Sequence, residues 1–100
     1  MILEILGSVG GLLIIISLLP QLILIIKNKT VENISLKTYI ILLLAEIIWT
    51  IYGFLVKDNQ VIVTNITSGF ITSLILIFGT FYYFKNEETI VEDIIDGVII

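Results

Sequence analysis

Residues 5–26 read ILGSVGGLLIIISLLPQLILII, a run of apolar and small side chains without a charge. Glu4 precedes this run and Lys27 follows it. A helix of about 20 apolar residues crosses the hydrocarbon of a bilayer, because each residue advances it by about 1.5 Å. The run lacks the basic start and the small-residue cleavage site of a secretory signal. We therefore expect it to remain as a membrane-spanning helix.

Two further runs repeat this pattern along the chain. Residues 38–56 carry one charge, Glu46, and residues 59–84 carry none. In lipid only helices and closed barrels satisfy their backbone hydrogen bonds, and these continuous runs lack the alternation of barrel strands. The predicted fold class is an all-α membrane protein, a three-transmembrane-helix bundle with spans at about 5–26, 38–56 and 60–84.

The composition argues against a soluble domain and against several kinds of chemistry. Apolar residues make up 58% of the 100 residues and charged residues 14%, and the mean hydropathy is +1.17. Soluble domains carry about 25% charged residues. Cysteine and histidine are absent, which excludes disulfides, thiolate metal sites and the commonest general base. We expect no enzyme, no cofactor, no metal site and no nucleic acid partner.

Charge placement predicts the orientation and the domain organisation. Three of the lysines (Lys27, Lys29, Lys37) flank the first loop, which places that loop and the C-terminus in the cytoplasm and the N-terminus outside. Residues 1–85 are predicted to form the transmembrane repeat, and residues 86–100 an acidic cytoplasmic tail. The tail mixes acids with Ile and Val, which suits a surface helix, packing on a neighbour or disorder alike.

Polar and aromatic residues interrupt the second and third spans. Residues three and four apart share one side of a helix, and in the second span these are Glu46, Trp49, Tyr52 and Gly53. Asn65 begins a polar face on the third span. A sugar stacks its C–H face on an indole, and its hydroxyls need a group that donates and accepts hydrogen bonds. Trp49 with Asn65 favours a polar, uncharged solute, although a mid-membrane Asn also commonly joins helices.

The remaining special positions each allow two interpretations. A carboxylate at the depth of Glu46 costs a few kcal/mol, so this residue is either a proton site or a neutral acid hydrogen-bonded in the bundle. Pro20 predicts a kink in the first helix beside the amide of Gln21, which serves as a static bend or as a hinge. Gly7 and Gly11 have the small-xxx-small spacing of packed helices, within one protomer or between copies.

These residues together resemble the PQ-loop transporters, specifically the bacterial SemiSWEETs. The likeness covers about Gly7 to Tyr83. The order and spacing of W-x-x-Y-G, then Asp, then Asn seven residues later are its most specific part. The matching positions are Leu19-Pro20-Gln21, Ile34-Ser35, Tyr39, Trp49-Thr50-Ile51-Tyr52-Gly53, Asp58 and Asn65.

The resemblance implies a sugar transporter of the bacterial cytoplasmic (inner) membrane. It would be a parallel homodimer, since three spans are too few to surround a solute. It would move a mono- or disaccharide by alternating access as a facilitative uniporter. The resemblance assigns substrate binding to Trp49 and Asn65 of both protomers. It assigns hinge and gate roles to Pro20, Gln21, Tyr52 and Asp58.

Two departures from the family pattern keep other functions open. Family members commonly carry an Arg at the position of Val56, where the Arg pairs with the gate Asp. In this chain that position is Val, and the next residue is Lys57. Glu46 falls where members are apolar. One alternative is a proton-coupled transporter of an amino acid or other small metabolite, with Glu46 as the possible proton site. The other is a structural or accessory membrane protein that transports nothing.

Overall fold

Three helices form the computed structural model, which describes residues 1–32 and 34–99. They are α1 (Ile2–Asn28), α2 (Leu36–Val56) and α3 (Asn59–Ile99). Each is long and apolar enough to cross a membrane, and each contains one predicted span. The predicted three-helix membrane fold is therefore confirmed. Asn33 and Ile100, the last residue of the predicted tail, lie outside the described residues.

The helix ends explain how short loops join these helices. Lys29 after α1 and Lys57 after α2 adopt the left-handed conformation, with φ of 54° and 58°. A left-handed residue whose N–H bonds back into the helix closes the last turn. Ser35 precedes α2, and its hydroxyl accepts a hydrogen bond from the backbone N–H of Thr38 at 3.4 Å. Both reversals of the chain are thus built into local hydrogen bonding.

α3 is the central helix of the bundle. α1 and α2 both pack on α3, and over the described residues no Cα atom of α1 comes within 8 Å of one in α2. The principal extents are 70 × 23 × 14 Å. A groove therefore runs along α3 between α1 and α2.

Few apolar side chains are buried within one chain. Large side chains such as Leu13 and Phe70 remain 61% and 66% exposed. An extended apolar surface of this kind is stable against lipid tails or another apolar surface, not against water. The structure thus agrees with the membrane environment that the composition predicts. The buried apolar core consists of Leu18, Ile25, Ile71 and Ile75.

Glycines bring α1 close to α3 within one protomer. A Cβ atom at Gly7 would overlap the side-chain amide of Gln60, and one at Gly11 would overlap the hydroxyl of Thr64. Gln60 also fastens the start of α1, because its Nε2 donates to the carbonyl of Glu4 at 2.7 Å. The small-xxx-small spacing therefore serves packing within the protomer.

Gly11→Leu is expected to destabilise the protein, whereas Gly10→Leu is not. A Leu at position 11 would have to displace Thr64 and α3, and overpacking of this kind costs about 1–3 kcal/mol. Over the described residues, and apart from the neighbouring backbone of α1 itself, no atom lies within 4 Å of a Cβ built on Gly10. Unfolding by sodium dodecyl sulfate, followed by circular dichroism, would compare the two. Equal midpoints for both variants would contradict the described α1–α3 contact.

The predicted tail continues α3 without a break. The 41 residues of α3 make a helix about 62 Å long. The segment is helical rather than disordered, and its location on a membrane surface or on a neighbour stays a prediction. The boundary between membrane and cytoplasm near residue 85 stays a prediction. The exposed apolar side chains of the tail segment are Ile90, Val91, Ile94, Ile95 and Val98.

Candidate functional site

Trp49, Asn65 and Glu46 line one cavity in the middle of the bundle. Its volume is ≈ 280 Å³, and residues from all three helices border it. The cavity therefore opens into the groove between α1 and α2. The structure brings together the two residues predicted to bind sugar, although they lie on different helices. The other lining residues are Ile14, Leu42, Ala45, Thr64 and Ser68.

The indole of Trp49 is presented to this cavity by α2. Half of the side chain is exposed (52%) in a single chain. The ring of Tyr52, one turn along, meets it edge to face, with centroids 5.3 Å apart and planes at 84°. This arrangement suits the quadrupoles of aromatic rings and limits rotation of the indole. Tyr52 is thus a direct neighbour of the site, while its gate role stays a prediction.

The amide of Asn65 is held by its own helix. Its Nδ2 donates to the carbonyl of Val61 at 2.8 Å, which leaves Oδ1 and the second N–H outside that bond. The hydroxyl of Ser68 donates to the carbonyl of Asn65 at 3.4 Å. Such bonds within a helix satisfy polar groups where water is scarce. Asn65 therefore retains both a donor and an acceptor for a solute.

A second cavity lies on the opposite face of the α2–α3 contact. Its volume is ≈ 450 Å³, and only α2 and α3 line it. Glu46 and Asn65 border this cavity as well as the first, so they form part of the wall between the two. Its other residues are mainly apolar: Leu43, Ile47, Thr50, Ile51, Phe54, Ile66, Gly69 and Ser73.

Glu46 is buried without a partner. Its side chain is 4% exposed, and within the described chain neither carboxyl oxygen has a hydrogen-bond partner. α3 comes close here, since a Cβ on Gly69 would lie 3.8 Å from the Cβ of Glu46. A carboxyl group without a hydrogen-bond partner is costly to bury in this environment. Among the described residues no three His, Cys, Asp or Glu side chains are grouped to hold a metal.

The predicted hinge residues lie away from the Trp49 cavity. α1 continues through Pro20, which has no N–H to offer the carbonyl of Ile16. Gln21 lines a separate cavity of ≈ 380 Å³ beneath the α1–α2 loop, with Thr30 and Ile34 among its neighbours. The structure therefore does not bring this pair to the solute cavity, and their part in helix movement stays a prediction.

Asp58 has a structural role that the sequence analysis missed. Its Oδ1 accepts hydrogen bonds from the backbone N–H groups of Gln60 at 3.1 Å and Val61 at 3.3 Å. It therefore caps the start of α3, as Asp commonly does. An Asp directly before a helical run is a signal that could have indicated the cap. The predicted gate role of Asp58 is a further possibility for the same residue and stays a prediction.

Thr64 borders the cavity but was not among the predicted site residues. Adjacent residues on a helix differ by about 100° in direction, so Thr64 does not share the polar face that begins at Asn65. The close approach of α1 at Gly11 places Thr64 beside the cavity. The sequence gives no direct signal that Thr64 borders the cavity, because this position depends on which helix Gly11 contacts.

Known proteins resemble this chain in sequence and in structure. The PQ loop repeat model matches residues 2–62. The sugar transporter SemiSWEET of Leptospira biflexa is 31% identical, over 85% of this chain and 93% of its own length. This chain is a SemiSWEET of the PQ-loop family. The resemblance inferred from the motif residues is therefore confirmed.

Two further comparisons extend the SemiSWEET assignment. The sugar transporter SemiSWEET of Bradyrhizobium diazoefficiens is 25% identical, over 81% of this chain and 94% of its own length. The crystal structure of a bacterial homologue of SWEET transporters matches with a TM-score of 0.78 and 28% identity, over 82% of this chain and 99% of that one. The named relatives are transporters rather than enzymes.

Proposed function

We propose that this SemiSWEET carries a mono- or disaccharide across the membrane by alternating access, as a facilitative uniporter. The observation that carries the proposal is that Trp49 and Asn65, from different helices, line one cavity. The indole offers a face for the C–H side of a sugar ring, and the amide can donate to and accept from its hydroxyls. The names of the relatives support a sugar as the solute.

The working unit in this proposal is a parallel homodimer. In one chain α1 and α2 both pack on α3, so the groove between them is bounded on one side by α3 and open on the other. A second copy facing the groove would close it and bring a second Trp49 and Asn65 opposite the first. Two facing cavities of ≈ 280 Å³ each together give roughly 560 Å³, which is within the roughly 300–1,000 Å³ of small-molecule sites.

The lysine distribution supports an orientation in the cytoplasmic (inner) membrane. The α1–α2 loop and the C-terminus face the cytoplasm, and the N-terminus and the α2–α3 turn face outside. Tyr52 and Asp58, toward the α2–α3 turn, would then contribute to the outer gate. Pro20 and Gln21 lie toward the α1–α2 loop, where they would let the inner end of α1 swing.

Counterflow in proteoliposomes tests the proposed function. Vesicles containing the full chain are loaded with unlabelled glucose or sucrose and diluted into the labelled sugar without any ion gradient. Saturable uptake above that of empty liposomes is expected for at least one sugar. Cross-linking in the same vesicles should trap a dimer. Uptake equal to empty liposomes for both sugars would contradict the proposal and favour another metabolite or an accessory role.

A further inference from the structure

The proposed sugar transport assigns no role to Glu46, although this residue is buried and borders the Trp49 cavity. The carboxyl of Glu46 is enclosed at the α2–α3 contact, with both oxygens unpartnered over the described residues. Over the described residues the hydroxyl of Thr72, on α3, is also buried without a hydrogen-bond partner. A buried polar group without a partner calls for an explanation, such as a role in another state of the protein.

Among the described residues that line its two cavities, none other than Glu46 carries a charge. Along the chain the nearest charged residues are Lys37 on α2 and Lys57 just after α2, nine and eleven positions away, about 14 and 17 Å along the helix axis. The other ionisable groups of α2 are Tyr39 and Tyr52. From α1, Ile14 borders the shared cavity. α3 presents uncharged residues there: Asn65, Ser68, Gly69 and Ser73.

The position of Glu46 connects it to the proposed sugar site. Glu46 borders the Trp49 cavity together with Asn65. A protonated carboxyl can donate and accept hydrogen bonds, whereas an ionised one only accepts. The ionised form has no compensating charge within the described chain, so it is unfavourable where water is excluded. To move between its two open states, the carrier must pass through an occluded state from which water is excluded. That state favours the protonated form of Glu46.

We propose that Glu46 is a proton-binding site and that the conformational exchange of this carrier requires the protonated form. The proposal rests on the proposed sugar transport. In the open states water reaches the carboxyl, and its O–H bond breaks to leave a carboxylate and a hydrated proton. Rebinding of that proton restores the neutral acid before the bundle occludes. A homodimer holds two such sites, one in each protomer.

The pH dependence of counterflow tests this proposal, with equal pH on both sides of the membrane. Above the titration range of the carboxyl, the rate should fall by up to about tenfold per pH unit if one protonated Glu46 is needed, and about a hundredfold if both are. Glu46→Gln places a permanently neutral amide of similar shape at this position. Its counterflow should be independent of pH over the same range. Ser73→Ala, in the opposite cavity, should keep the wild-type profile.

Several outcomes would overturn the proposal. Glu46→Gln with the same pH profile as the wild type would remove Glu46 as the proton site. If counterflow is absent in the wild type at every pH, the proposed sugar transport fails, and infrared spectroscopy still tests Glu46. The protonated carboxyl gives a carbonyl band that should disappear in Glu46→Gln. Infrared spectroscopy is also the test if the wild type is active and Glu46→Gln is inactive. A wild type without that band would overturn the proposal.

Discussion

Trp49→Ala is expected to abolish sugar counterflow while leaving the protein folded. The indole is the large apolar surface of the cavity, and half of it is exposed in a single chain. A homodimer loses it twice. If each indole contributes about 2 kcal/mol, as buried aromatic anchors do, removal of both weakens sugar binding by about a thousandfold. Counterflow at equal protein incorporation would measure the loss.

Phe70→Ala is the matched control for this prediction. Phe70 is an exposed aromatic residue of α3 that borders neither the Trp49 cavity nor the opposite cavity. Its truncation should leave counterflow at the wild-type rate. Equal losses in both variants would indicate general damage to the bundle. Counterflow that survives in folded Trp49→Ala would contradict the proposed sugar site.

Asn65→Leu is expected to weaken sugar binding strongly with little change of volume. A sugar hydroxyl that enters the cavity would then lose its partner, and an unpaired buried polar group costs about 1–3 kcal/mol. Two copies of the substitution should reduce the affinity by at least about thirtyfold. The dependence of counterflow on sugar concentration would show this as a raised half-saturation concentration.

Ser73→Ala distinguishes the two cavities that Asn65 borders. The hydroxyl of Ser73 donates to the carbonyl of Gly69 at 2.8 Å and borders only the opposite cavity of the two. Its removal should not change the half-saturation concentration. A large effect of Ser73→Ala without one of Trp49→Ala would mean that the sugar occupies the opposite cavity. The proposed role of Trp49 would then be wrong.

Hydropathy alone predicts the helices, because the need to form every backbone hydrogen bond in lipid overrides the weaker helix propensities of individual residues. The arrangement of the helices could not be predicted in this way. α3 is central because α1 approaches it at Gly11 and α2 approaches it at Gly53. The sequence shows where small residues permit a close approach. It does not show which helix makes use of it.

The candidate site was predictable to the extent that it depends on helical periodicity. Spacing places Glu46 and Trp49 on one face of α2, and both border the cavity that Asn65 also borders. The lack of a partner for Glu46 was not predictable. It depends on hydroxyls of nearby residues that bond within their own helices instead, such as those of Thr50 and Ser73. Competition of this kind is settled by local geometry rather than by sequence spacing.

The unbroken course of α3 makes this helix a lever. It packs against both other helices and then continues through the acidic segment to Ile99. For a rigid helix about 62 Å long, a tilt of about 10° around the outer end moves the far tip by about 11 Å. The length of α3 would thus convert a small rearrangement around Trp49 into a large displacement of its tip. A fluorescent label near that tip would report the displacement in real time.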